Sequence, residues 1–291
     1  MKLRTLGLLS LAAFAVVASC GVGVGIGAWS GTSGTSTAPH LQVVRLEGMI
    51  VEPTKTVKKL IAARKDSTVK GVVLRIETPG GAVGASQEIF DAVVALSKVK
   101  PVVASIGNLG ASGGYYAALG ATRIMANPGS LTASIGVISQ FADAHELLEK
   151  VGVKMETVKS GELKDAGSPF RAMAPKDRTY FQGVVNDVYA QFRAEVQRRR
   201  KVDSLALDTL ADGRVLSGSQ AKRARLIDTL GGYEDAIALT RHLAKLPETA
   251  TVTEDIPKSS FVRRLLDPEE EGLSRLLPLG DNSSPVQFRV P

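Results

Sequence analysis

A chain of 291 residues, 44% of them hydrophobic, can bury one large domain or two small ones. Its net charge of +7 is spread along the sequence, aromatics are 5% of residues, and the one basic cluster, Arg198-Arg199-Arg200-Lys201, closes a predicted helix. The clustered basic face that nucleic-acid binding needs is therefore missing, although a basic surface suits anionic lipid headgroups. A single cysteine, Cys20, excludes an internal disulfide and a cysteine zinc site, and His40, His145 and His242 are too scattered for metal ligation, so neither a metal nor a cofactor is expected.

Lys2 and Arg4 precede an uncharged apolar run from Leu6 to Trp29, long enough to span a bilayer. Positive charge before the run and none just after it puts the N-terminus inside and the rest of the chain outside the cytoplasm. A second reading stands beside this one. Val17-Ala18-Ser19-Cys20 is similar to a bacterial lipoprotein processing box, with Cys20 lipidated after cleavage. The length of the run favours an anchor over residues 1–29, and either reading tethers the chain to the bacterial inner membrane with its bulk in the periplasm. Residues 30–39, rich in Ser, Gly and Thr, form a flexible linker.

Strands and helices then alternate over residues 40–248. Residues 41–46 read as a strand, 54–65 as an amphipathic helix and 69–76 as a strongly apolar strand ending at Pro79-Gly80-Gly81. A helix over 87–97 and a strand over 101–106, stopped by Gly107, complete a strand–helix–strand series that implies a parallel sheet with flanking helices. Helical pattern resumes from Tyr115 to Leu119. Residues 123–126 and 135–139 read as short strands, 142–151 as a helix, and 155–158 as a strand entering the polar turn 159–165. Pro175 opens a helix to Arg200 whose stripe of Phe181, Val184, Val185, Val188, Tyr189 and Phe192 faces the sheet or a partner. Helices over 205–210, 218–224 and 233–246 follow, and 249–291 read as a peripheral tail.

Ser112 lies between a strand and a helix and is followed by Gly113-Gly114. Glycines there permit a tight turn and a close substrate approach, and the Gly113 amide would open a helix where unsatisfied N–H groups favour negative charge. Ser-Gly-Gly is also a common plain turn.

Four segments in one order change the balance: Thr78-Pro79-Gly80-Gly81, Ala111-Ser112-Gly113-Gly114-Tyr115-Tyr116, Leu131-Thr132-Ala133-Ser134-Ile135-Gly136 and Ser160-Gly161-Glu162-Leu163-Lys164-Asp165. Together they resemble the signal peptide peptidase A family, the S49 serine peptidases, over roughly residues 41–248. The segment from Gly213 to Gly232 and the N-terminal membrane segment are similar too. The resemblance implies an α/β fold of the Clp protease and crotonase type. It implies a serine–lysine dyad, with Ser112 as nucleophile, Lys164 as general base and Ser134 bonding the lysine. It also implies ring-like homo-oligomers in which the serine and lysine of one site come from neighbouring subunits. Glu77 stands where the family carries an asparagine, which brings an acid near the cleft and leaves substrate preference open.

A serine hydroxyl needs a base to act as a nucleophile. His145 falls on a predicted surface helix, whereas a lysine serves if its amine is kept neutral by apolar or hydroxyl surroundings. An acyl intermediate needs two oxyanion donors, here the amide of Gly113 and that of Gly81, with Gly80 the second choice for the latter. Gly81-Ala82-Val83 would leave a strand edge for an extended peptide, with Gly80, Gly110 and Ala111 lining the cleft, and small or apolar side chains next to the cut bond. That suits cleaved signal peptides and other unfolded segments. Two alternatives are a crotonase-like acyl-CoA enzyme and an inactive membrane scaffold of the same fold.

Overall fold

The computed structural model describes residues 38–254 and 287–288. In chain order, β1 (His40–Glu47), α1 (Thr54–Lys65), β2 (Val69–Thr78), β3 (Gly81–Ala82), α2 (Val83–Ser97), β4 (Val102–Ala111) and α3 (Gly113–Ala118) come first. Then follow β5 (Arg123–Ala126), β6 (Leu131–Ala133), α4 (His145–Lys150), a 3₁₀ turn (Glu162–Asp165), α5 (Pro175–Arg200), α6 (Ser204–Leu210), β7 (Val215–Ser217), α7 (Gly218–Arg223), β8 (Thr229–Leu230), α8 (Tyr233–Leu243), β9 (Val252–Glu254) and β10 (Gln287–Phe288). The expected anchor over 1–29, with Cys20, lies outside the described residues. Among those described, no helix is long and apolar enough to cross a membrane.

The main sheet runs β7-β6-β4-β2-β1-β9, with β5 beside β4 and β8 beside β5. Its pairings are parallel except β6 with β7. Successive strand residues point to opposite faces. Val44, Leu46, Val72, Leu74, Ile76, Val102, Ala104 and Ile106 therefore join the apolar side chains of α1, α2 and α3 in one core. Val43, Val73 and Val103 point the other way, onto Ala236 and Ile237 of α8. Cover on both faces explains why β2 reads as an almost unbroken apolar run.

Several boundaries differ from the sequence reading. β4 does not stop at Gly107 but continues to Ala111, and its later half turns to pair with β6. The helix expected over 87–97 starts at Val83, directly after the extended Ala82. The strand expected over 135–139 is absent. Strand β6 sits earlier and ends where Ala133 and Ser134 take left-handed φ of 65° and 51°. No strand forms over 155–158, and α4 is shorter than the helix expected over 142–151. Val252–Glu254, expected in the peripheral tail, is the edge strand beside β1, where Glu254 accepts a hydrogen bond from Arg45. Only the C-terminal part of the α5 stripe reaches the core: Phe192 and Val196 are buried, while Phe181, Val184, Val185, Val188 and Tyr189 are half-buried.

Tyr115 pins α3 to the body of the fold. Its ring is fully buried and its hydroxyl donates to the Leu226 carbonyl at 2.8 Å. Burial pushes that phenol above its ordinary pKa, so it stays a donor throughout the working pH range. Tyr115→Phe leaves the carbonyl unpaired and is expected to cost about 1 kcal/mol. Chemical denaturation checks this, and an unchanged midpoint would contradict it.

Candidate active site

β2 and β4 deliver their C-terminal ends to one place. From β2 the chain turns through Pro79-Gly80-Gly81. Thr78, fully buried, holds this turn: its hydroxyl donates to the Gly48 carbonyl, and the Gly80 amide donates to Thr78 Oγ1 at 3.1 Å. Gly81 lies against Ile50 so closely that a Cβ would come within 2.0 Å of the Ile50 carbonyl oxygen. The Ile50 amide donates to Gly80 O at 2.8 Å and the Ala82 amide to Ile50 O at 2.7 Å. Gly81 and Ala82 are edge-paired on their other side as well, antiparallel to Phe288 and Gln287. The edge read as open in the sequence is thus taken by the chain itself, and Val83 belongs to α2 rather than to a strand. Gly110 and Ala111 lie inside the sheet. Gly110 pairs with Thr78 and Thr132, and Ala111 with Ala133.

From β4 the chain reaches Ser112, whose backbone adopts φ 52° and ψ −118°. Such a conformation costs a non-glycine residue about 1–3 kcal/mol and persists only where its surroundings impose it. They do so here. The Ser112 amide donates to the Ala133 carbonyl at 2.8 Å, and the Ser112 carbonyl accepts from the Tyr116 amide at 2.9 Å. The hydroxyl is the exception, because Ser112 is fully buried yet its Oγ has no hydrogen-bond partner among the described residues. A buried polar atom left unpaired in this way is costly and rare. Gly113 follows as the first residue of α3, and its amide donates to no acceptor among the described residues.

Ser134 is buried, and its hydroxyl donates to the Gly213 carbonyl at 3.2 Å. Lys164 sits elsewhere, on the 3₁₀ turn, exposed, beside a hollow lined by Ser160, Gly161, Glu162, Leu163 and Lys176. Among the described residues, no hydrogen bond joins Lys164 to Ser112 or Ser134. The turn itself is held firmly. Asp165 accepts from Lys159 at 2.6 Å and from Arg171 at 2.9 Å, and Arg171 also bonds Asp177. Lys176 pairs with Glu162. Every carboxylate of this turn thus has another cation, and the Lys164 ammonium has no partner among the described residues. Asp165, next to Lys164 in the chain, is taken by Arg171 and Lys159. His145 lies on α4, where Asp143 binds its ring and raises its pKa.

In the sequence Thr78 is only part of a motif, with no hint that its hydroxyl pins the turn, and Arg171 and Asp177 carry no sequence signal. An arginine near two aspartates shows its role only once the fold brings them together.

The model of peptidase family S49 matches residues 94–247. The "Putative protease slr0021" of Synechocystis is 38% identical over 250 residues, covering 85% of this chain and 89% of that protein. A chloroplastic serine protease SPPA of Arabidopsis thaliana is 32% identical over 71% of this chain and 31% of its own length. Protease 4 of Salmonella typhi is 36% identical over 66% of this chain, which spans 31% of that protein.

Two outcomes follow from the site's geometry. Glycine takes the backbone angles of Ser112 without strain, so Ser112→Gly is expected to be about 1 kcal/mol more stable than Ser112→Ala by denaturant titration, and equal midpoints would contradict this. Asp165 and Asp177 are both held below the ordinary carboxylate pKa, with the Arg171 guanidinium the largest cause for each. A lowered folded-state pKa gives stability that is complete above about 3.9 and is lost only as pH falls through the folded value. Proteolysis within residues 159–171 should therefore be equally slow at pH 7 and pH 5 in the natural chain and faster at both in Arg171→Ala.

Proposed function

The chain belongs to peptidase family S49, a family of serine peptidases, and from that premise we propose that it is a membrane-tethered endopeptidase using Ser112 and Lys164. The observation that carries the assignment is the strained backbone of Ser112 together with its buried, unpartnered hydroxyl. The neutral Lys164 amine takes the hydroxyl proton as Ser112 Oγ attacks the peptide carbonyl. The tetrahedral oxyanion takes hydrogen bonds from the amides of Gly113 and Gly81. Collapse expels the amine leaving group with the proton from Lys164 and leaves an acyl-serine. Water, deprotonated by the same amine, then hydrolyses the ester and restores Ser112.

A lysine works as a base only where burial or the absence of carboxylates favours its neutral form. Asp165 and Glu162 are paired with other cations, so neither holds Lys164 in an ion pair among the described residues. Burial calls for a cover that the described residues do not supply, since Lys164 is exposed among them. A ring of like subunits supplies it: each copy lays its Lys164 turn over the Ser112 of the next, next to that copy's Ser134. The half-buried stripe on α5 supports such an association, since apolar side chains left partly open mark contact surfaces. The α/β sheet with its strained serine at a strand–helix junction supports a Clp protease and crotonase type of fold. Relatives that are peptidases favour peptide hydrolysis over acyl-CoA chemistry.

The substrate is an extended peptide that pairs antiparallel with Gly81–Ala82 in the way Gln287–Phe288 does. A peptide taking that edge displaces those two residues. Tethering by residues 1–29 holds the site at the outer surface of the inner membrane, where cleaved signal peptides are released. Ser112→Ala and Lys164→Ala are each expected to lower kcat/KM on an unstructured peptide by about 10³-fold or more. Full activity in either variant would sink the mechanism.

A further inference from the structure

Between β2 and β4 the register slips just before the proposed nucleophile. Ile76 pairs with Ile106, but Thr78, two residues on, pairs with Gly110, four residues on. Gly107 and Asn108 lie in the detour and pair with neither β2 nor β6. The carboxylate of Glu77 fills the gap. Its Oε1 accepts the Asn108 amide at 2.9 Å and the Leu109 amide at 3.2 Å, and its Oε2 accepts the Asn108 amide at 3.1 Å. The chain wraps this carboxylate so tightly that a Cβ on Gly107 would lie 1.9 Å from Glu77 Oε2.

Charged acceptors make the stronger backbone hydrogen bonds, and a bidentate one fixes direction as well as distance. The neighbouring Arg75 does not compete for the carboxylate. Its guanidinium donates to Ser105 Oγ at 2.9 Å and lies 5.4 Å from the centre of the Tyr233 ring. Glu77 has no ion pair among the described residues. Past the detour, Leu109, Gly110 and Ala111 lock onto β6, and the next residue is Ser112.

We propose that Glu77 is a positioning residue: by holding the amides of Asn108 and Leu109 it sets the length of the β4 detour and so places the Ser112 hydroxyl. This inference rests on the reading of Ser112 as nucleophile. It also changes what the acid does. A carboxylate engaged by its own backbone is not available to select substrates, and its effect belongs to the chemical step rather than to binding.

The full-length protein tests this through Glu77→Ala and Glu77→Gln. Steady-state cleavage of an unstructured peptide is measured beside the rate at which a fluorophosphonate labels Ser112. Alanine is expected to lower kcat and the labelling rate together by about 10²-fold, the cost of an ångström-scale misplacement, with KM within about threefold. Glutamine, which keeps the acceptor that serves both amides, is expected to recover to within about fivefold of the natural chain. Unchanged kcat and labelling in Glu77→Ala would overturn the proposal, and so would a raised KM with kcat kept. If Glu77→Ala has no folding transition, Glu77→Asp carries the test, because its carboxylate is drawn back by one methylene. Aspartate must then label more slowly than glutamine, and labelling at the natural rate would overturn the proposal. Failure of the underlying reading looks different: the label would land on a residue other than Ser112, and Ser112→Ala would stay active.

Discussion

The structure depends on how one residue is held. Ser112 sits at φ 52° and ψ −118° with its amide and carbonyl both engaged, and its hydroxyl, fully out of solvent, has no partner among the described residues. Folding gains nothing from that hydroxyl and is charged for the backbone angles. The elements that enforce it are those that make the fold. Strand β6 receives the Ser112 amide through Ala133, α3 receives its carbonyl, and Tyr115 ties α3 to Leu226. The opposite wall, from Thr78 to Gly81, is fixed just as firmly against Gly48 and Ile50.

The lysine turn is built on different principles from the surroundings of Ser112. Residues 159–177 use ion pairs in place of an apolar core. Arg171 joins Asp165 to Asp177, and the surrounding carboxylates are all occupied. Exposed ion pairs contribute little stability one at a time. Here their use is selective: they leave the Lys164 ammonium unpaired while keeping its turn in one shape. A lysine presented on an exposed, ion-paired turn suits delivery to a surface supplied by another molecule.

Much of this was legible in the sequence where local pattern and burial agree. β2 could be read from VKGVVLRI because it is covered on both faces, and α1 and α5 matched their predicted limits because nothing outside overrides their periodicity. The failures share a cause. Gly107 is a breaker by local rules, yet β4 runs through it because Glu77, some thirty positions earlier, supplies acceptors no neighbour could supply. The expected strand over 135–139 is lost to the left-handed angles of Ala133 and Ser134, which pairing with β7 and the Arg214 carbonyl imposes. The edge at Gly81–Ala82 looked open because its two partners, Ile50 and the segment 287–288, are remote or lie beyond the regular pattern. Residue identities at the site could be named from motif order; what each residue touches could not.

The proposed peptidase chemistry depends on the Ser112 of one copy meeting the Lys164 turn of another. Mixing the two inactive proteins, Ser112→Ala and Lys164→Ala, and letting them co-assemble tests it most directly. Regained peptide cleavage in the mixture is the predicted result, since some sites then pair an intact serine with an intact lysine. Co-assembled mixtures as inert as either parent would contradict it.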